Sequence, residues 1–263
     1  MDIVQFTDFH FGNEKSTHDY LEYSRGLILE LNKRVSNPVF IISGDVTFRG
    51  EKEGYKQAKS FFKAMIDEKI VDISRILLCP GNHDIINNSF KDFDRFSFEI
   101  RQDNLCTFEE KNSREIVLDE VFFEIFNSSF HFDHKYGLID DKCLQVKHEE
   151  KNKLKIAIMH HNILNMHKND TSTIRNAYDL TNYLDLNKFN YVLHGHQHAK
   201  QDYYLGSSSI RVISGRSGNY NQTGYLNSVN IYRVDQHNFE EITLVPEQSG
   251  LKVKFMEIKP YER

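Results

Sequence analysis

Two short runs in this chain, residues 39–42 and 76–79, are apolar at every position, and each breaks off into a turn rich in polar ligand-type side chains. Unbroken apolarity over four residues marks a strand covered on both faces, as in a parallel sheet packed between layers. Pro80-Gly81-Asn82-His83-Asp84 follows the second run directly. Gly81 permits a sharp turn there, setting an amide oxygen, an imidazole and a carboxylate at the strand's carboxyl end, where open α/β folds bind ligands. Alone, the stretch equally suits a hydrogen-bonded loop with a helix cap, so partners elsewhere in the chain must decide.

The same device recurs along the chain. Ile3-Val4-Gln5-Phe6 runs into Thr7-Asp8-Phe9-His10, and residues two apart in an extended segment share a side, so Asp8 and His10 face one spot. The 39–42 run enters Ser43-Gly44-Asp45-Val46-Thr47-Phe48-Arg49-Gly50. Leu154-Lys155-Ile156-Ala157-Ile158-Met159 ends in His160-His161-Asn162, and Tyr191-Val192-Leu193 in His194-Gly195-His196-Gln197-His198.

Helical patterns separate these strands. A capping box, Ser16-x-x-Asp19, predicts a helix through Leu21, Leu27, Ile28 and Leu31 up to Pro38. Residues 51–68 read as an amphipathic helix through Tyr55, Ala58, Phe61, Phe62 and Met65, and 174–186 as another helix. Such alternation implies a parallel sheet with right-handed crossovers. From Tyr203 onward the texture is β, with period-two alternation over 228–234 and 251–255, which predicts a second sheet packed on the first.

Between these halves the pattern changes: ten of the twenty phenylalanines lie between Phe90 and Phe132. Residues 86–152 are therefore expected to form an inserted helical, aromatic cap within a single domain spanning 1–263, with Phe122, Phe126 and Phe130 packing it onto the body rather than stacking bases. A hairpin is expected over 136–146.

A length of 263 residues suffices for a large core, and 39% hydrophobic with 27% charged residues is a soluble composition. No apolar run approaches the roughly 20 residues that cross a bilayer, and Met1-Asp2-Ile3-Val4 lacks the features of a secretory signal. Cys79, Cys106 and Cys143 lie too far apart in sequence for a zinc ribbon, so a reducing, cytoplasmic setting is expected. A net charge of -5 disfavours long-range attraction to nucleic acid. Seven of the thirteen histidines fall in four of the strand-end stretches, as ligands would.

Collecting the strand ends yields Asp8, His10, Asp45, Asn82, His160, His196 and His198 as candidate metal ligands. Mixed nitrogen and oxygen donors without thiolate suit two divalent transition-metal ions, Mn²⁺ first and Fe, Zn, Co or Ni as alternatives. Seven ligands exceed one tetrahedral site but match two ions sharing a carboxylate.

In this order, Asp-x-His, Gly-Asp-x-x-x-x-Gly, Gly-Asn-His-Asp, His and Gly-His-x-His resemble the calcineurin-like metallophosphoesterase superfamily from Asp8 to His198. The resemblance implies an α/β fold, a four-layer α-β-β-α sandwich of two mixed β-sheets flanked by helices. It implies that Asp8, His10 and His198 hold one metal, Asn82, His160 and His196 a second, and that Asp45 bridges them. His83 matches the histidine that contacts the phosphate and protonates the leaving oxygen, and Asp84 its orienting carboxylate. Strand alternation does not separate His160 from His161; the resemblance favours His160, the first of the pair. His161 and His194 are expected as supporting or core histidines.

The resemblance thus implies a phosphoesterase in which a metal-bridging hydroxide attacks phosphorus. Phe48 and Asp84 depart from the protein Ser/Thr phosphatase pattern, so the chain looks more like the cyclic-nucleotide phosphodiesterase and nuclease side. A phosphodiester substrate, a nucleotide or cyclic nucleotide, is expected, with a DNA or RNA nuclease as the alternative and a phosphomonoesterase or inactive metal-binding scaffold behind it. No visible Lys/Arg stripe supports the nuclease. Arg49 is a candidate phosphate-binding residue by the geometry of its guanidinium, and residues 215–221, rich in Gly and Asn, are a candidate substrate rim. No membrane contact is expected, and no protein partner or homo-oligomer is indicated.

Overall fold

The computed structural model describes residues 1–148, 153–235 and 238–258. In chain order its first half comprises β1 (Asp2–Phe6), α1 (Tyr20–Arg34), β2 (Val39–Ser43), α2 (Lys52–Asp67), β3 (Ile76–Cys79), α3 (Lys91–Arg101), β4 (Ser113–Leu118) and β5 (Val121–Phe126). The second half continues with β6 (Leu154–Ile158), α4 (Ala177–Leu186), β7 (Tyr191–His194), β8 (Asp202–Leu205), β9 (Ile210–Ser214), β10 (Val229–Val234), β11 (Phe239–Ser249) and β12 (Lys252–Ile258).

Two mixed six-stranded sheets result, ordered β12-β11-β10-β1-β2-β3 and β4-β5-β6-β7-β9-β8. The apolar runs of β2 and β3 lie side by side with β1, all parallel, so their carboxyl ends share one edge of the molecule. In the second sheet β5, β6, β7 and β9 are likewise parallel. Alternation along these strands divides two cores. Phe123, Ile125, Ile156, Ile158, Leu193 and Ile213 join the core shared with the first sheet, while Phe122, Phe126, Ala157, Val192 and Val212 turn the other way, onto Leu180, Tyr183 and Leu184 of α4. Helices α1, α2 and α3 pack in a row, and α1 also lies on β12. Each buried Phe or Leu contributes about 1.5–3 kcal/mol to holding the layers together. The result is the four-layer sandwich of two sheets flanked by helices. Among the described residues no helix is long and apolar enough to cross a membrane.

Three local expectations are corrected. Residues 86–152, of which 149–152 lie outside the described residues, are not a helical cap: only α3 is an α-helix, and β4 and β5 build one edge of the second sheet. Phe122 and Phe126 misled because a spacing of four is even, so it selects one face of a strand as well as one face of a helix. Within 136–146 there is no hairpin but a single 3-10 turn, Cys143–Gln145. Ser16 does not cap α1; Asp19 does, its carboxylate accepting from the Leu21 and Glu22 amides, while the Ser16 hydroxyl donates to the Asn13 carbonyl. The helix of residues 51–68 forms as α2, with Tyr55, Ala58, Phe61, Phe62 and Met65 all buried.

Candidate metal centre

The carboxyl ends of β1, β2 and β3 meet those of β6 and β7, and there the chain turns abruptly. Asp8, His10, Asp45, His196 and His198 all adopt left-handed backbone, with φ between 50° and 75°. For non-glycine residues this costs roughly 1–3 kcal/mol each and is characteristic of functional sites. Two glycines make room for it. A Cβ on Gly81 would lie 2.1 Å from Asp45 Oδ1, and one on Gly195 would lie 1.9 Å from Thr7 Oγ1 and 2.6 Å from Asp8 Oδ2.

The seven residues named from the sequence come together as two donor groups around Asp45. On one side, His198 Nε2 lies 3.3 Å from Asp8 Oδ1 and 3.2 Å from His10 Nε2, which is 3.8 Å from Asp45 Oδ2. On the other, His160 Nε2 lies 3.3 Å from Asp45 Oδ1, 3.1 Å from Asn82 Oδ1 and 3.2 Å from His196 Nδ1. Asp45 therefore turns one oxygen to each group. Ring nitrogens and carboxylate oxygens converging at such distances fit divalent cations with nitrogen and oxygen preference.

Surrounding bonds aim these donors. Asp8 accepts from the Thr7 hydroxyl at 2.6 Å and the His196 amide at 2.9 Å. His160 donates from Nδ1 to the Ser43 carbonyl at 2.9 Å, which directs Nε2 into the site. Asn82 donates from Nδ2 to the His134 carbonyl at 3.3 Å, which points its oxygen inward. His161 is equally buried, its ring 4.5 Å from that of His196, and its Nδ1 bonds the Ser128 hydroxyl at 2.9 Å. His194 is buried too, with Nδ1 against the Gly195 carbonyl.

Burial opposes charge on every group here, and the local charges decide which yield. Burial raises the Asp45 pKa, but His160, His83 and His10 draw it well below the carboxylate range, and His198 and His160 do the same for Asp8. Burial holds His10 at about 4 and His196 at about 3, neutral and suited to binding a cation. His160 and His198 are the exceptions: at His160 burial is outweighed by Asp45 and Asp8, which push it up to about 9, and at His198 burial is outweighed chiefly by Asp8, which raises it.

A pH dependence follows. His160 titrates at about 9 in the folded chain against 6.5 for the unperturbed group, so its stabilisation is complete below pH 6.5 and lost as pH rises through 9. Protein stripped by chelation is expected to lose up to about 3 kcal/mol over that interval. If His160 serves as a ligand, an added divalent ion such as Mn²⁺ has to displace its proton, so the ion should bind more tightly as pH rises and offset the loss. Melting temperatures with and without chelator test this; a stripped protein that grows steadily more stable from pH 6.5 to 9 would contradict it.

Two sequence expectations change at the second rank of residues. Asp84 does not touch the His83 ring. Its buried carboxylate accepts from the Val46, Thr47 and Gly81 amides and from the Tyr55 hydroxyl, tying the β2 and β3 turns together. Burial and the nearby Asp45 charge push its pKa up to about 6 against those donors. The His83 ring instead bonds through Nδ1 to the Phe48 carbonyl, while the His83 amide donates to Asp45 Oδ1 at 2.9 Å. Arg49 is exposed and off the cleft wall, its guanidinium 5.0 Å from the centre of the Phe48 ring.

Beside the donors opens a polar cleft of about 650 Å³, with Lys15, Phe48, His83, Gln197, Tyr220, Gln222 and Tyr225 among its walls. The suggested rim of 215–221 reaches the cleft through Tyr220 and Asn221. Sequence reasoning missed Lys15, Gln197, Gln222 and Tyr225. Gln197 had a signal, its place between His196 and His198, and its amide nitrogen donates to Asn162, Asp170 and Ser172. For the others no local pattern existed.

The model of the calcineurin-like phosphoesterase family matches residues 1–200. No curated protein matches the sequence. Among solved structures, a dimetal phosphatase from Danio rerio is similar at 12% identity over 98% of each chain, with a TM-score of 0.66. A 5'-nucleotidase from Candida albicans is similar at 13% identity over 93% of this chain and 51% of its own, with a TM-score of 0.53. At these identities the likeness is one of fold.

Proposed function

We propose, from the premise that this chain belongs to the calcineurin-like phosphoesterase family, that it is a metal-dependent hydrolase acting on a phosphodiester, a nucleotide or cyclic nucleotide. In this reading Asp8, His10 and His198 hold one divalent ion, Asn82, His160 and His196 a second, and Asp45 touches both. The observation that carries it is Asp45, with Oδ1 3.3 Å from His160 and Oδ2 3.8 Å from His10, one carboxylate shared by two donor groups. Two such ions, when bound, supply an activated water and neutralise charge on the phosphoryl oxygens. Imidazole with carboxylate suits Fe, Zn, Co or Ni as well as Mn²⁺, and Mn²⁺ is the ion proposed for the first test.

The chain's own residues then divide the work. His83 holds its ring by the Nδ1–H bond to the Phe48 carbonyl, which leaves Nε2 to deliver a proton to the departing alkoxide. Asp84 keeps the turns of Asp45 and His83 in register through the Val46, Thr47 and Gly81 amides. Support for a diester comes from the cleft. Apart from His83 and from Lys15, the only Lys or Arg among the described residues lining it, its walls beyond the donors are uncharged and partly aromatic (Phe48, Tyr220, Asn221, Gln222, Thr223, Tyr225). Such walls suit a second organic substituent on phosphorus better than a bare dianion, and they offer little to a polyanionic nucleic acid.

The test is hydrolysis of bis-p-nitrophenyl phosphate against p-nitrophenyl phosphate by chelated protein resupplied with Mn²⁺. Metal-dependent turnover favouring the diester is expected. Preference for the monoester would replace the reading by a phosphatase, and no turnover of either with two ions bound would favour a scaffold.

A further inference from the structure

The family match ends at residue 200, yet the cleft wall beside Asp8, His10 and His198 comes from later residues, Tyr220 to Tyr225. This segment is stitched to the loop after His10. Asn221 donates its amide to the Lys15 carbonyl at 2.8 Å and Thr17 donates to the Asn219 carbonyl at 3.2 Å. Ser16 and Tyr220 pair as an isolated antiparallel bridge. A turn follows in which the Tyr225 amide donates to the Gln222 carbonyl at 3.1 Å, with Gly224 at φ +85°. The Tyr220 ring rests 4.8 Å from that of His10 and 5.3 Å from that of His198.

Held this way, Gln222 places Oε1 2.7 Å from His198 Nδ1. An amide oxygen only accepts, so the ring proton belongs on Nδ1. His198 Nε2 is then the atom turned toward Asp8 Oδ1 and the His10 ring, 3.3 and 3.2 Å away. Other imidazoles of the site are handled differently: His160 is aimed by a backbone carbonyl, that of Ser43, and His10 Nδ1 has no partner among the described residues.

We infer that Gln222 is a positioning residue for His198, fixing the tautomer and ring orientation in which His198 binds a divalent cation. The inference rests on the reading of His198 as a ligand. Partners of this kind are worth about 10–100-fold in metal affinity, and the exposure of Gln222 places it at the low end of that range.

The experiment is calorimetric titration of Mn²⁺ into the chelated protein, comparing wild type with Gln222→Met, which keeps length without the acceptor, and Gln222→Glu, which keeps the acceptor. Wild type should bind two ions. Gln222→Met should weaken one of them about tenfold and leave the other unchanged, at an unaltered melting temperature without metal. Gln222→Glu should bind both at least as tightly as wild type. Unchanged binding by Gln222→Met, or equal losses in both variants, would overturn the inference while leaving the ligand assignment standing. A wild type that binds no Mn²⁺ would overturn both.

Discussion

Asp45→Asn is expected to lower kcat/KM for a phosphodiester by roughly a thousandfold or more, about 4 kcal/mol of transition-state stabilisation, and to leave the protein holding one ion instead of two. The substitution is nearly isosteric, so the loss reads charge and donor count rather than packing. A carboxylate presents two oxygens, and here each faces its own donor group, at 3.3 Å from His160 and 3.8 Å from His10. An amide presents one oxygen and puts two N–H bonds in place of the other. The charge matters as much, because Asp45 is the first contributor to the raised pKa of His160. Metal-to-protein ratios by elemental analysis, with kinetics on the same samples, decide the matter. Two ions retained and activity within tenfold of wild type would remove Asp45 from the shared position.

His83→Gln is the second large effect, and its size should depend on the substrate. If His83 protonates the departing oxygen, its loss costs about 10²–10⁴ in kcat on esters of ordinary alcohols. On p-nitrophenyl esters the penalty should shrink to about tenfold or less, because a stabilised phenolate departs without a proton. Ion content should not change. The alternative is geometrically open, since His83 offers a ring nitrogen within 4.8 Å of ligand atoms of both His10 and Asp45. A variant that loses an ion would make His83 a ligand, and one that keeps its ions but loses the same factor on every leaving group would remove the acid role.

Much of this site is legible in the amino-acid sequence, for a local reason. Apolar strands that stop in polar turns announce where the chain emerges from a core, and residues such as Asp8 and His10 are close in space because they are close in sequence. Parallel pairing of β1, β2 and β3 then follows from the strand–helix alternation, so the carboxyl ends had to share an edge. What misled were signals that two local structures share. Phe122 and Phe126 read as one face of a helix and turned out to be one face of β5, because four is even as well as close to a helical turn. In the same way Ser16-x-x-Asp19 carried the letters of a capping box, while the residue that caps α1 is its last member.

Local spacing in the sequence thus marked the candidate ligands, their order and the alternation of strands and helices, while the four-layer arrangement came from the resemblance those motifs carry. Tertiary structure decided the rest. It turned His160 inward and His161 onto Ser128, gave the His83 ring to the Phe48 carbonyl while Asp84 braced the turns, and brought Gln222 to His198. Each of those choices depends on which backbone carbonyl, hydroxyl or amide stands opposite a ring once two sheets and their loops have packed. That partner comes from a different strand or loop, and no pattern along the chain encodes its distance or direction.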